Sequence, residues 1–410
     1  MDDTEEKVLQ ELGKPTGIFE MGDQKILSYK GGEVTIRNGK VIDVDLVSQN
    51  DQAPPKKPVP LSTLPETPST QPSASTDQPS SPSLDDSKEL VIREVKMRPG
   101  LSVETLLFEK AEAHIAALFL AERFHELEKI SASLNHPDAR NSDGTWKMTN
   151  FFRAILKSFN NEPSHYEKIL AITRRWQNSH PSSMTARLVE AKILIDLAWE
   201  ARGSGYANTV TGDGWKSFHT LLDAAHKVLI EAATLPGSNP EYYNVLLNIA
   251  HAQGYSRDEF EKIFDEAVSK WPSYIPYYEI KSYYLMPRWY GRKGELEKFF
   301  HEVYKTHPEG KLIYTKICED HEGYYGSKFF THTDFKWKLL KEAYEDSLKK
   351  YPDSNLILNG YAFMACIADD HKKAKELLLK IEGKYEDRIW NSQTDMEYYA
   401  RIRRFYKIGR

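Results

Sequence analysis

Apolar positions recur with helical spacing in stretch after stretch from about residue 89 to the C-terminus. Trp215, Phe218, Leu221, Leu222, Ala225, Val228, Leu229 and Ala232 follow the i, i+3, i+4 pattern of a helix that buries one face. "ARLVEAKILIDLAWEAR" before them reads as a second strong helix. Three such stretches run into proline, at Pro272, Pro308 and Pro352, at intervals of 36 and 44 residues, with Pro240 placed 32 residues earlier. Proline cannot continue a helix, and a period in the thirties to forties is characteristic of stacked helical hairpins. After Pro352, the residues Leu358, Tyr361, Ala362, Ala365, Ala374 and Leu378 fall where a tetratricopeptide repeat puts its packing positions. The expectation is a mainly α chain: a tetratricopeptide-like α-solenoid of degenerate helical hairpins over 89–410.

The pattern changes twice toward the N-terminus. Over 1–50 a short helix, "TEEKVLQELG", precedes strand-like alternation in "KILSYK", "EVTIR" and "KVIDVDLV". Gly31-Gly32 and Asn38-Gly39 fall between these runs as hairpin signals. This predicts a small α+β module. Residues 51–88 then hold nine of the 21 prolines and no aromatic residue. Such a segment buries too little apolar surface to offset its ordering entropy and reads as a disordered linker spanning roughly 35 Å.

Composition narrows the function classes. A net charge of -5, with Lys and Arg interspersed among Asp and Glu, excludes the basic footprint of a nucleic-acid protein. No stretch is long and apolar enough to span a membrane. The start "MDDTEEKVLQ" is acidic and unlike a signal peptide. A Ser/Thr/Pro-rich tether such as 51–88 is common in proteins of the bacterial cell envelope. The expected place is therefore the envelope or periplasm, or the exterior, if a signal peptide has been removed, and otherwise the cytoplasm. Cys318 and Cys366 read as two buried small hydrophobes, with a disulfide as the minor alternative.

Few residues advertise chemistry. "AWEARGSGYANTVTGDGWKSF" (198–218) gathers Gly, Thr, Asn and aromatic residues, yet its glycines do not match a phosphate-binding loop or a dinucleotide fingerprint. It reads as a long connection, about 203–213, between two helices. Gly203 suits the left-handed position that closes the first helix, and Thr211 or Asp213 suits the N-cap of the second. Candidate binding residues there are Arg202, Tyr206, Asn208, Thr209, Thr211 and Trp215, with Tyr206, Trp199 and Trp215 also readable as packing. His301, His307, His321 and His332 lie close together but lack the second His of a zinc helix, so no metal, cofactor or catalytic residue is assigned. Asp320-His321-Glu322 reads as a polar helix end. The Tyr pairs at 242–243, 277–278, 283–284, 324–325 and 398–399 read first as helix-packing residues of a degenerate repeat. The alternative puts one ring of each pair in the core and its neighbour on a binding surface.

Two resemblances follow from these stretches. "LGKPTG…GDQKILSYKGGEVTIRNGKVIDVDL" resembles the small α+β modules of the SmpA/OmlA (BamE-like) lipoproteins, which implies an envelope protein. The 198–218 stretch, with "W…HPSSMTARLVEAKILI" upstream, resembles the bacterial "domain of unknown function 4034" family over roughly 150–380. That resemblance implies a tetratricopeptide-like helical domain and no particular mechanism. The expected function is a non-catalytic scaffold or adaptor that binds a protein or peptide partner on a helical-repeat surface. The alternative is an enzyme or small-ligand receptor with its site at the 202–216 loop.

Overall fold

A computed structural model describes residues 4–14, 17–21, 24–29, 32–37, 39–46, 102–159, 165–203, 207–386, 389–390, 402 and 404–405. The expected linker, Tyr206 and the Tyr398–Tyr399 pair lie outside them. The molecule is mainly helical.

Near the N-terminus, helix α1 (Glu5–Leu12) precedes four strands, β1 (Gly17–Met21), β2 (Gln24–Tyr29), β3 (Gly32–Arg37) and β4 (Lys40–Leu46), paired as an antiparallel meander in chain order. Arg37 pairs with Lys40 across Asn38-Gly39, and Gly39 takes the positive φ of +76° that this tight connection demands. Leu27, Val34, Ile36 and Val41 are buried together with Val8 of α1. A register shift between Thr35 and Ile36 sets Ile36 opposite Val41 and Val34 opposite Val44, which a strict two-residue alternation would not allow.

The second body begins with α2 (Val103–Leu120), α3 (Phe124–Leu134) and α4 (Lys147–Leu156). It continues through α5 (His165–Ser179), α6 (Met184–Arg202), α7 (Gly212–Ala233), α8 (Pro240–Gln253), α9 (Arg257–Lys270) and α10 (Ile275–Tyr284). Helices α11 (Glu295–Thr306), α12 (Gly310–Tyr325), α13 (Phe329–His332), α14 (Trp337–Lys350), α15 (Asn355–Ile367) and α16 (His371–Ile381) complete it. Most successive helices pack against one another, and α4, α6, α8, α10 and α12 also touch one another in turn. The chain thus lays down one row of alternate helices, backed by the helices between them.

Local chemistry explains the boundaries. Helices α9, α11 and α14 each end two residues before a proline, at Lys270, Thr306 and Lys350. Pro240 behaves differently: it opens α8 at its first turn behind the Asn239 cap, where the missing N–H has no helical partner to lose. Ser183, Thr211, Ser256 and Ser354 cap α6, α7, α9 and α15 with their hydroxyls. After Pro352, Tyr361, Ala362, Ala365, Ala374 and Leu378 are buried and Leu358 partly so.

The first helix of this body meets the last but one. The Glu104 carboxylate on α2 accepts from Ser354 Oγ (2.9 Å) and from the Leu356 backbone N–H (2.8 Å) at the start of α15. The turn before α4 joins the same contact. Arg140 donates to Ser273 Oγ at 2.8 Å, Trp146 Nε1 donates to the Ser273 carbonyl at 2.7 Å, and Asp143 pairs with Lys316 at 3.3 Å. Gly144, with φ +82°, lies so close to Tyr351 and Leu312 that an added Cβ would sit 2.7 Å and 2.8 Å from their side chains. Residues far apart in sequence therefore share one core.

Several local expectations are corrected by packing. Tyr242 and Tyr243 are both buried, and so are Tyr277 and Tyr278. Their helices, α8 and α10, are covered on two sides, since both pack against α9 and against each other in the row. Among the described pairs, Tyr283–Tyr284 divides into a half-buried and a buried ring, and Tyr324–Tyr325 into an exposed and a half-buried one. Asp320, His321 and Glu322 lie within α12, which continues to Tyr325, and His321 is buried with Nε2 2.8 Å from Ser282 Oγ. Cys318 and Cys366 are free and buried.

Candidate functional site

The 202–216 connection is shorter than its glycines suggest. Helix α6 ends at Arg202 and α7 begins at Gly212, with a 3-10 turn at Ala207–Thr209 between them. Gly203 takes φ +78° with ψ 171°, a positive-φ exit that is extended and not the left-handed helical turn. Thr211 Oγ1 accepts from the Gly214 N–H at 3.0 Å and so caps α7, leaving Asp213 in the first turn. Trp215 is half-buried, while Thr209 and Thr211 are exposed. Arg202 lies over the rings of Trp199 (5.5 Å) and Trp215 (5.2 Å). Tyr206 and the side chain of Asn208 lie outside the described residues.

Two cavities open on the row of alternate helices. The larger, about 710 Å³, takes its walls from α4, α5, α6, α8 and α10, with Phe152, Lys192, Asp196, Asn244, Asn248 and Glu279 among its lining. The smaller, about 370 Å³, is aromatic: Trp199, Tyr283, Trp289 and Tyr324 surround it with His251 and Arg288. Asn248 and Ile280 belong to both, so the two cavities adjoin along the cleft between these helices. Arg202, Thr209, Thr211 and Trp215 are not among the residues that line it. Trp199, stacked under Arg202, is the link between the loop and the cleft.

The polar groups of the larger cavity come from one helical face each. Asn244 and Asn248 are one turn apart on α8, and Asn248 Nδ2 donates to the Asn244 carbonyl at 2.8 Å. Glu241, one turn before Asn244, is almost wholly buried. Its carboxylate accepts from Lys192 Nζ at 2.8 Å, from Asn244 Nδ2 at 2.9 Å and from the Tyr274 hydroxyl. A buried charge is tolerable only with such pairing. Burial raises the Asp196 carboxyl above its ordinary range, against the pull of Lys192 and His165. Glu279 is pushed up to about 7, by burial first and then by Asp320 and Glu241, with Lys316 and Lys192 opposing. Protein encloses Glu279 closely, yet the side chain is only partly covered, and its opening is to the cleft.

The aromatic cavity has its own electrostatics. Burial and the nearby Arg288 hold His251 down to about 4, so its ring is neutral at physiological pH. Its Nε2 is buried without a hydrogen-bond partner among the described residues. Arg288 reaches across the mouth to the Tyr324 hydroxyl at 2.6 Å and lies over the Trp289 and Tyr324 rings. Burial and Arg288 together lower the Arg202 guanidinium. Among the described residues, no group of three or more His, Cys, Asp or Glu side chains is arranged to hold a metal ion.

Asp196, Glu241 and Glu279 escaped the sequence reading. The signal was present: each is a lone carboxylate in an apolar run, in "KILIDLAW", "NPEYYNVLL" and "IPYYEI". A charge on an otherwise buried helix face has to find a partner or a cavity.

The architecture is thus that of a mainly helical protein with a cleft along a row of alternate helices. Residues 111–242, which supply α4, α6 and the loop between α6 and α7, match the family described as Domain of unknown function (DUF4034). The match starts earlier and ends earlier than the 150–380 expected, and takes in the 198–218 stretch. No curated protein matches the chain. No helix among the described residues is long and apolar enough to cross a membrane.

Proposed function

We propose that the protein is a tetratricopeptide-like helical-repeat scaffold that holds an extended segment of a protein partner in this cleft. The adjacency of the two cavities at Asn248 and Ile280 carries the reading, because a peptide needs a track across several helices and not a single enclosed pocket. Asn244 and Asn248 offer amide groups suited to a peptide backbone, and Trp199, Tyr283 and Trp289 offer rigid aromatic surface for one anchoring side chain. On this reading Arg202 and Trp215 brace the rim through Trp199. Residues 1–50 then form a separate module on the 51–88 tether, and the cell envelope is the favoured setting.

A random peptide library displayed on phage and selected on the full chain tests the proposal. Enriched peptides should lose at least tenfold in affinity to the Asn248→Arg variant, in which a long cationic side chain fills the junction of the two cavities. Far-UV circular dichroism should stay unchanged. Enrichment that is indifferent to Asn248→Arg overturns the reading.

A further inference from the structure

The lining of the larger cavity carries three carboxylates, those of Asp196, Glu241 and Glu279, and three basic side chains, those of Lys192, Arg153 and Lys157. Lys192 is the cation whose charge acts on all three carboxylates. Lys192 gives its hydrogen bond to Glu241, whose oxygens are further satisfied by Asn244 and Tyr274. Of the other cations, Arg153 Nε donates to Glu112 at 3.0 Å, Lys316 pairs with Asp143 and Glu319, and Lys157 lines the cavity with a side chain exposed to solvent. Asp196 and Glu279 accept no hydrogen bond and form no ion pair with any described side chain, and both line the cavity. A carboxylate held away from water without a partner is costly, and an arriving cation removes that cost.

The form of the site selects among cations. A divalent metal needs about six oxygen ligands in a tight shell, and no group of even three suitable side chains is assembled among the described residues. What the cavity adds to its two carboxylates is apolar: Phe152, Leu156 and Ile280 share its wall. That combination matches a head group with a positive charge at the end of a methylene stem.

We infer that the cleft recognises a basic side chain, Arg or Lys, of the bound segment. Its head group sits on Asp196 of α6 and Glu279 of α10, and its stem runs along Phe152, Leu156 and Ile280. This inference rests on the peptide-binding reading and gives it a chemical preference. The groups that face Glu279 are Glu241 from α8, Lys192 from α6, and Asp320 and Lys316 from α12; Asp196 is faced by His165 of α5 and by Lys192. Binding a cation requires Glu279 to be ionised. For a group titrating at about 7, going from pH 8 to pH 6 leaves about a tenth of the ionised form and weakens binding about tenfold.

The test uses the full chain with N-acetyl-arginine amide and its uncharged isostere N-acetyl-citrulline amide, titrated by ligand-detected NMR at pH 8 and pH 6. The arginine probe should bind at least tenfold more tightly than the citrulline probe at pH 8. It should lose that advantage in Asp196→Asn/Glu279→Gln, a pair of near-isosteric changes, and weaken about tenfold at pH 6. Equal binding of the two probes to the unmutated chain, which needs no variant to fold, overturns the inference. So does an arginine preference that survives the double substitution. Selected peptides without a basic residue that still depend on Asn248 would defeat this inference and leave the peptide-binding reading standing. An arginine probe held by Asp196 and Glu279 with no peptide enriched would do the reverse.

Discussion

Ionising Glu279 works against the fold, because burial and the neighbouring Asp320 and Glu241 all disfavour the charge. Its carboxyl titrates at about 7 in the folded chain against an ordinary value of 4.5. The unfolded chain therefore gives up this proton first, and stability falls as pH rises from about 4.5 to about 7, then stays level. Glu279→Gln should raise stability at pH 8, by about 1–2 kcal/mol once screening through the open cleft is allowed for, and change little at pH 4.5. Urea titrations at both pH values measure this, and a gain of equal size at the two would assign it to packing instead. The sequence marks Glu279 as a lone acid among aromatics, which announces a special position. It does not announce Asp320 or Glu241, which lie 41 and 38 residues away along the chain.

At the scale of the element, nearly everything was legible. The hydroxyl and amide caps, the prolines two residues past α9, α11 and α14, and the 3.6-residue apolar period are short-range signals that act within a turn or two. Tyr242 and Tyr277 show where legibility stops: their helices are covered on two sides, and a period alone cannot count neighbours. The start of α15 shows it again. Ser354 is its visible cap, yet Glu104, 250 residues earlier, supplies a second one from α2. A carboxylate at a helix N-terminus both accepts N–H bonds and meets the positive end of the dipole. Glu104→Ala should therefore cost about 1–3 kcal/mol and lower the melting temperature by several degrees, read by calorimetry. A loss below about 0.5 kcal/mol would mean that the α2–α15 contact holds without it.

For the whole molecule, the contact of α2 and the 140–146 turn with the turn before α10, with α12 and with α15 changes how the helices depend on one another. An open row of helical hairpins unfolds piecemeal, since each unit touches only its neighbours. A stack whose first helix also grips its last but one should unfold as one. Far-UV circular dichroism and the fluorescence of buried Trp146, Trp176 and Trp390 should give superimposable urea curves. Separate midpoints would show that the two ends melt independently. The sequence by itself determined the helices, their stops, the early turn to strands, and the family stretch around residues 198–218, because caps, prolines and periodicity are local. Only the tertiary structure decided that Asp196, Glu241 and Glu279 face one cavity, and that the loop with Arg202 stands beside it. Those residues come from three different helices, and helix packing alone sets which faces converge and which charges are left without a partner.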